Sequence, residues 1–214
     1  MKRIRPALLQ ARHHPVRILI AILIASVLLR LGVALFLGDV VAAPPLLADQ
    51  RSYDALAKRL LTGRGFSFER AWYPFTAANA PTAHWSFLFS MYLAAVYGVL
   101  GVHPIAARLV GAVVGGILLP WMVYRLSRRL FPGNQPVAIL SAACAAVYAY
   151  FVLYAVTLMT ETLYMIAVLW SLERAMALAE EPALRRALVL GLALGLATLL
   201  RQSVLPWVLV LLVW

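Results

Sequence analysis

Cysteine is almost missing from this 214-residue chain: Cys144 stands alone, so no disulfide closes within it and a Cys-rich zinc site is excluded. Charge is scarce as well, at 13% of residues, and acidic charge scarcer still, with 8 Asp and Glu against 19 Lys and Arg. A soluble domain carries about a quarter charged residues, so a cytosolic globule is excluded. No GxGxxG or Walker sequence for holding a nucleotide occurs. What is abundant is apolar: 64% of the chain is hydrophobic and the mean hydropathy is +0.88. The formal net charge of +11 does not point to nucleic acid, because the basic residues lie between long apolar runs rather than on one polar face.

The runs are long enough for helices to cross a membrane. Residues 18–38, 105–124, 137–158, 162–179 and 187–200 read as spans, and a sixth run begins at 204. The expected fold class is all-α, a polytopic transmembrane helical bundle forming a single integral membrane domain. Because the last run stops at Trp214, the chain is expected to be the N-terminal part of a longer one. The first run follows Lys2, Arg3, Arg5, Arg12 and Arg17. Its length exceeds a signal-peptide core, so it reads as an uncleaved anchor, with Ala42 and Ala43 leaving cleavage open.

Five basic and no acidic residues before Ile18 place the N-terminus in the cytoplasm. Residues 39–104 then form an outer loop. Within it, 52–62 reads as an amphipathic helix with Tyr53, Leu56, Leu60 and Leu61 on or near one face and Asp54, Lys58 and Arg59 away from it. The stretch 86–101 is short for a span. If it crossed, Arg125, Arg128 and Arg129 would lie outside, against the charge rule; lying along the outer interface, it leaves them inside with Arg174, Arg185 and Arg186.

This topology gathers the polar points of an apolar chain at the outer face. Asp49 is either a helix N-terminal acid or a site carboxylate, and Glu161, beside a possible cap at Thr160, has the same two readings. Arg201 either snorkels or binds phosphate through its planar fork, and Arg108 carries the same pair of readings. His84 is an interfacial or packing histidine on the plain reading and a substrate contact on the functional one. Arg30 is expected to snorkel or to meet a buried acid. GAVVG from Gly111 and GLALG from Gly191 read as close-packing faces, and His13 and His14 belong to a basic segment that sets topology and touches anionic lipid.

The stretches ADQRSYDALAKRLLTGRGF, PTAHWSFLFSMYLAAVYGVLG, AARLVGAVVGGILLPWMVYRLSRRLF, TLMTETLY and RRALVLGLALGLATLLRQ, in that order, resemble the bacterial branch of the GT-C membrane glycosyltransferases, the superfamily of protein O-mannosyltransferases and aminoarabinose transferases. The resemblance implies a GT-C-like bundle whose first outer loop carries an acid beside the transferred sugar. That acid maps to Asp49, the acid after the third span to Glu161, and Arg201 falls where members have Arg-Pro. Members often have Glu after the first acid, where this chain has Gln50. The resemblance further implies a polyprenyl-phosphate-linked sugar donor, a hydroxyl-bearing acceptor (protein, lipid or cell-envelope glycan), no nucleic acid, and a site on the outer face of a bacterial cell membrane. No cofactor is expected, although Asp49 and Glu161 could share a divalent cation. The competing readings are a transporter or lipid flippase, and a non-catalytic membrane assembly protein.

Overall fold

The computed structural model describes residues 15–41, 49–74 and 76–213. The basic residues up to His14, and Ala42 and Ala43, lie outside the described residues. The described chain is helical: α1 (Pro15–Leu37), α2 (Asp49–Leu61), α3 (Phe87–Leu100), α4 (Pro104–Leu130), α5 (Gln135–Val147), α6 (Ala149–Ala155), α7 (Glu161–Glu180), α8 (Leu184–Leu200), a 3-10 turn (Gln202–Val204) and α9 (Leu205–Val213). Only helices satisfy their own backbone groups in lipid. Among the described residues, α1, α4 and α7 are each long and apolar enough to cross a membrane, and the pair α5 and α6 passes together as a bent span.

Local chemistry sets the boundaries. Gly38 and Gly63 take left-handed φ of 63° and 69° just past α1 and α2, a conformation that stops a helix without steric cost. Ser86 caps α3 by accepting from the Phe89 N–H, and Pro104 opens α4, where a missing N–H costs nothing. Thr160 precedes α7 but makes no side-chain cap bond, so only the first-turn part of the expectation for Glu161 is realised.

Helix α4 is the hub and packs against α1, α3, α5, α6 and α7. Its small residues permit this. A Cβ on Gly116 would stand 2.9 Å from the Cα of Val27 in α1, and one on Gly111 would stand 2.4 Å from the Ala155 carbonyl of α6. The second small-residue pattern differs: Gly191 and Gly195 of α8 have nothing within 4 Å of an added Cβ, so GLALG is not a packing face among the described residues.

The run 137–158, expected to cross, is built from two helices that together are long and apolar enough to span. The chain breaks at Tyr148 and α6 leaves at 57° to α5. A break leaves terminal carbonyls without helical partners, and in lipid each costs several kcal/mol. Arg30 answers that need. Fully buried in α1, it donates to the Ala146 carbonyl at 2.8 Å and the Ala145 carbonyl at 3.5 Å, and to the Ser26 carbonyl at 3.1 Å. It neither snorkels nor meets a carboxylate in the structure; it clasps the end of a broken helix.

The helix termini collect at two ends. At one, Arg125 and Arg129 of α4 bind the Glu173 carboxylate of α7 at 2.9 and 2.8 Å, Arg174 joins them, and Arg129 also reaches Glu180. Arg186 at the head of α8 donates to the Ala177 carbonyl and pairs with Glu181. At the other end, the tail of α1 meets the head of α4, and the head of α7 meets the tail of α8. Helices α2 and α3 sit here. Ser86, at the start of α3, donates to the Leu199 carbonyl of α8 at 3.1 Å, while Gly101, at its finish, turns into the head of α4. Both termini of α3 therefore lie at the same end of the bundle.

Candidate functional site

Helix α2 is less a surface ribbon than a wedge. Its apolar side, Tyr53, Leu56 and Ala57, enters the main core with Phe68, Trp85 and Phe89, as its spacing requires. One carboxylate of the opposite side is buried too, while Arg51 and Lys58 there are exposed. Asp54, expected away from the core, is 8% exposed, accepting from the Tyr97 hydroxyl at 2.8 Å and pairing with Lys58 at 2.6 Å. Sequence periodicity missed this because it scores a carboxylate as solvated, whereas here two donors replace its water.

The first residue of α2 is Asp49, exposed and in the first turn. One turn on, Tyr53 is 8% exposed, its ring held edge-on by Trp85 and Phe89 with centroids 5.5 and 5.0 Å away. Burial first, then the Asp49 charge and more weakly that of Glu161, push the phenol above the ordinary tyrosine range, while the contacts to Ser86 and Thr160 oppose the rise. One phenol thus feels two carboxylates 112 positions apart in sequence (161 − 49).

Glu161 is the first residue of α7 and accepts from Arg201 Nη1 at 2.7 Å, their side chains 20% and 44% exposed. Arg201 ends α8, and its guanidinium also stands 5.9 Å from the ring centroid of Tyr164, one turn after Glu161. Ser203 contacts the Tyr164 hydroxyl at 3.3 Å. A partly exposed ion pair of this kind is weak in itself, about 0.2–1 kcal/mol. The Arg201 side chain stays 44% exposed beside it.

Gln50, next to Asp49, is 2% exposed and accepts the Leu158 N–H at 3.0 Å. Its amide fixes the connection from α6 to α7 and so the position of Glu161. Arg108 receives a different task from the one expected. It is 2% exposed and donates to the carbonyls of Leu37, Gly38 and Val40 at 3.0, 2.7 and 2.9 Å, closing the tail of α1 rather than reaching an outside phosphate. Asp39 reciprocates by accepting the Ile105 N–H at 2.9 Å at the head of α4, with His103 at 3.2 Å. That backbone bond, opposed by partial desolvation and aided by His103 and Arg108, holds the Asp39 pKa below the usual carboxylate value. His84 is exposed, its ring edge-on to Trp85 at 5.1 Å.

Glu161 and Arg201 are therefore joined where α7 meets α8, Asp49 stands one turn before the buried Tyr53 on α2 at the same end of the bundle, and Arg108 is engaged by the tail of α1. From the sequence Tyr53 read only as an apolar-face residue, Gln50 only as a departure from the family's second acid, and Tyr164 was not singled out; their signal is position, one turn or one residue from an acid at a helix start. Among the described residues no three His, Cys, Asp or Glu side chains gather to hold a metal ion.

A comparison with curated proteins and one with solved structures return no match. The family described as dolichyl-phosphate-mannose-protein mannosyltransferase matches residues 80–214, a region that carries Glu161 and Arg201 and begins after Asp49. With its helical bundle and its membrane-length helices, the chain belongs to that family of GT-C-type membrane glycosyltransferases.

Proposed function

We propose that the protein moves a sugar from a polyprenyl-phosphate donor to a hydroxyl-bearing acceptor at the outer face of a bacterial cell membrane, with the site at the α2–α7–α8 end. The observation that carries this reading is the Arg201–Glu161 ion pair where the tail of α8 meets the head of α7, at the bundle end that α2 and its first residue Asp49 also occupy. Direct displacement needs a base for the acceptor proton and a cation for the departing phosphate. Asp49, exposed at its helix start, is suited to take the proton as the acceptor oxygen bonds to the sugar C1. The bond from C1 to the lipid phosphate breaks, and Arg201 stabilises the charge gathering there. Glu161 is the positioning carboxylate that aims Arg201, and His84 supplies a polar contact at the rim. No step calls on a cofactor.

The same end supports the orientation. With five basic residues leading into α1, the end holding Arg125, Arg129, Arg174 and Arg186 reads as cytosolic and the site end as outer. Helix α3, returning to the end it left, is suited to lie along the interface and hold donor and acceptor in register.

The test is sugar transfer by the full chain from a polyprenyl-phosphate sugar, read as released polyprenyl phosphate. Asp49→Asn is expected to lower kcat by about 10²–10⁴-fold at unchanged membrane level. Arg201→Ala is expected to lower it by about 10²–10³-fold, and Glu161→Gln combined with Arg201→Ala to cost little more than Arg201→Ala alone. Activity of Asp49→Asn within a few-fold of the parent would overturn the assignment.

A further inference from the structure

Behind the Thr157–Met159 connection, where α3, α4, α6 and α7 meet, lies a cavity of about 20 Å³. That is enough room for a water molecule. The walls are mainly apolar, yet two hydroxyls in the lining have no hydrogen-bond partner, those of Tyr92 on α3 and Thr162 on α7. Thr162 is 4% exposed. A buried hydroxyl left unpaired costs about 1–3 kcal/mol, and two at one cavity would double that in a joint that is otherwise closely packed. Gly111 and Gly115 of α4 press on Ala155 here, and a Cβ on either would clash with it.

We propose that this cavity is a binding site for a single structural water, bridging the Tyr92 and Thr162 hydroxyls. A water can accept from one hydroxyl and donate to the other, and the Ala155 residue in the lining brings the end of α6 to the same place. The water then links α3 to α7 directly behind the segment that carries Thr160 and Glu161, so it acts as a wet joint between the bundle and the short helix at its end. This inference stands independently of the chemistry proposed for Asp49 and Arg201.

A double-mutant cycle on the full-length protein in detergent tests it, with Tyr92→Phe, Thr162→Val and the pair read by thermal denaturation. A shared water predicts that each single change lowers Tm by about 2–4 °C. The pair should be no worse than the worse single variant, because the bridge is lost once. Dry hydroxyls predict the opposite sign, since removing an unsatisfied group raises Tm; single variants at or above the parental Tm, or losses that add, overturn the proposal. Should Thr162→Val fail to fold, an experimental map of the parent protein at water-resolving quality decides. A peak within hydrogen-bond distance of both hydroxyls supports the site, and featureless density there overturns it.

Discussion

Single side chains in this protein are assigned by what surrounds them, and the arginines make the point. Arg30, Arg108 and Arg201 are indistinguishable in sequence, each a cation in an apolar stretch. The structure gives the first to a broken helix, the second to a helix tail and the third to an ion pair with Glu161. No sequence rule separates them, because carbonyl partners come from remote segments and leave no residue-type signature. The Asp39 cap carries a pH prediction. Its folded pKa lies below the unfolded value of about 3.9, so its contribution is fully present above that value and is lost as pH falls through the folded pKa. Thermal stability of the parent protein measured from pH 7 to 3 should therefore drop more steeply below about pH 4 than that of Asp39→Asn; parallel profiles would remove the cap from the account.

At the level of helices, the boundaries were legible wherever local chemistry writes them. Proline at the head of α4, serine before α3 and glycine after α1 are all visible in the sequence, and the helix limits follow them. The bend at Tyr148 was not, since neither Gly nor Pro marks it; it is held by Arg30 from another helix. Small-residue patterns were only half informative. GAVVG and GLALG look alike, but one meets α6 and α7 and the other meets nothing among the described residues. Substitution should separate them. Gly111→Ala drives a Cβ to 2.4 Å from the Ala155 carbonyl of α6 and is expected to destabilise by about 1–3 kcal/mol. Gly191→Ala, in an open helix position, is expected to stabilise by up to about 1 kcal/mol. Thermal denaturation of both variants in one detergent checks the pair, and equal shifts would contradict the packing described.

Among the described residues the ion pairs fall at two ends of the bundle, and that sorting joins the fold to the proposed function. The fold class was readable from hydropathy alone because a bilayer imposes length and composition on every span. The candidate site was readable only in part. Asp49, Glu161 and Arg201 could be picked as polar points in an apolar chain, but the tie Gln50 makes from α2 to the connection before α7 shows only once the chain is folded. Sidedness is the claim on which the proposed chemistry turns, and one labelling experiment addresses it. In a Cys144→Ser background, Gln202→Cys marks the site end and Glu181→Cys the opposite end, both at exposed positions. A membrane-impermeant maleimide applied to right-side-out vesicles is predicted to label Gln202→Cys at once and Glu181→Cys only after permeabilisation. Labelling of Glu181→Cys from outside, with Gln202→Cys protected, would contradict the account.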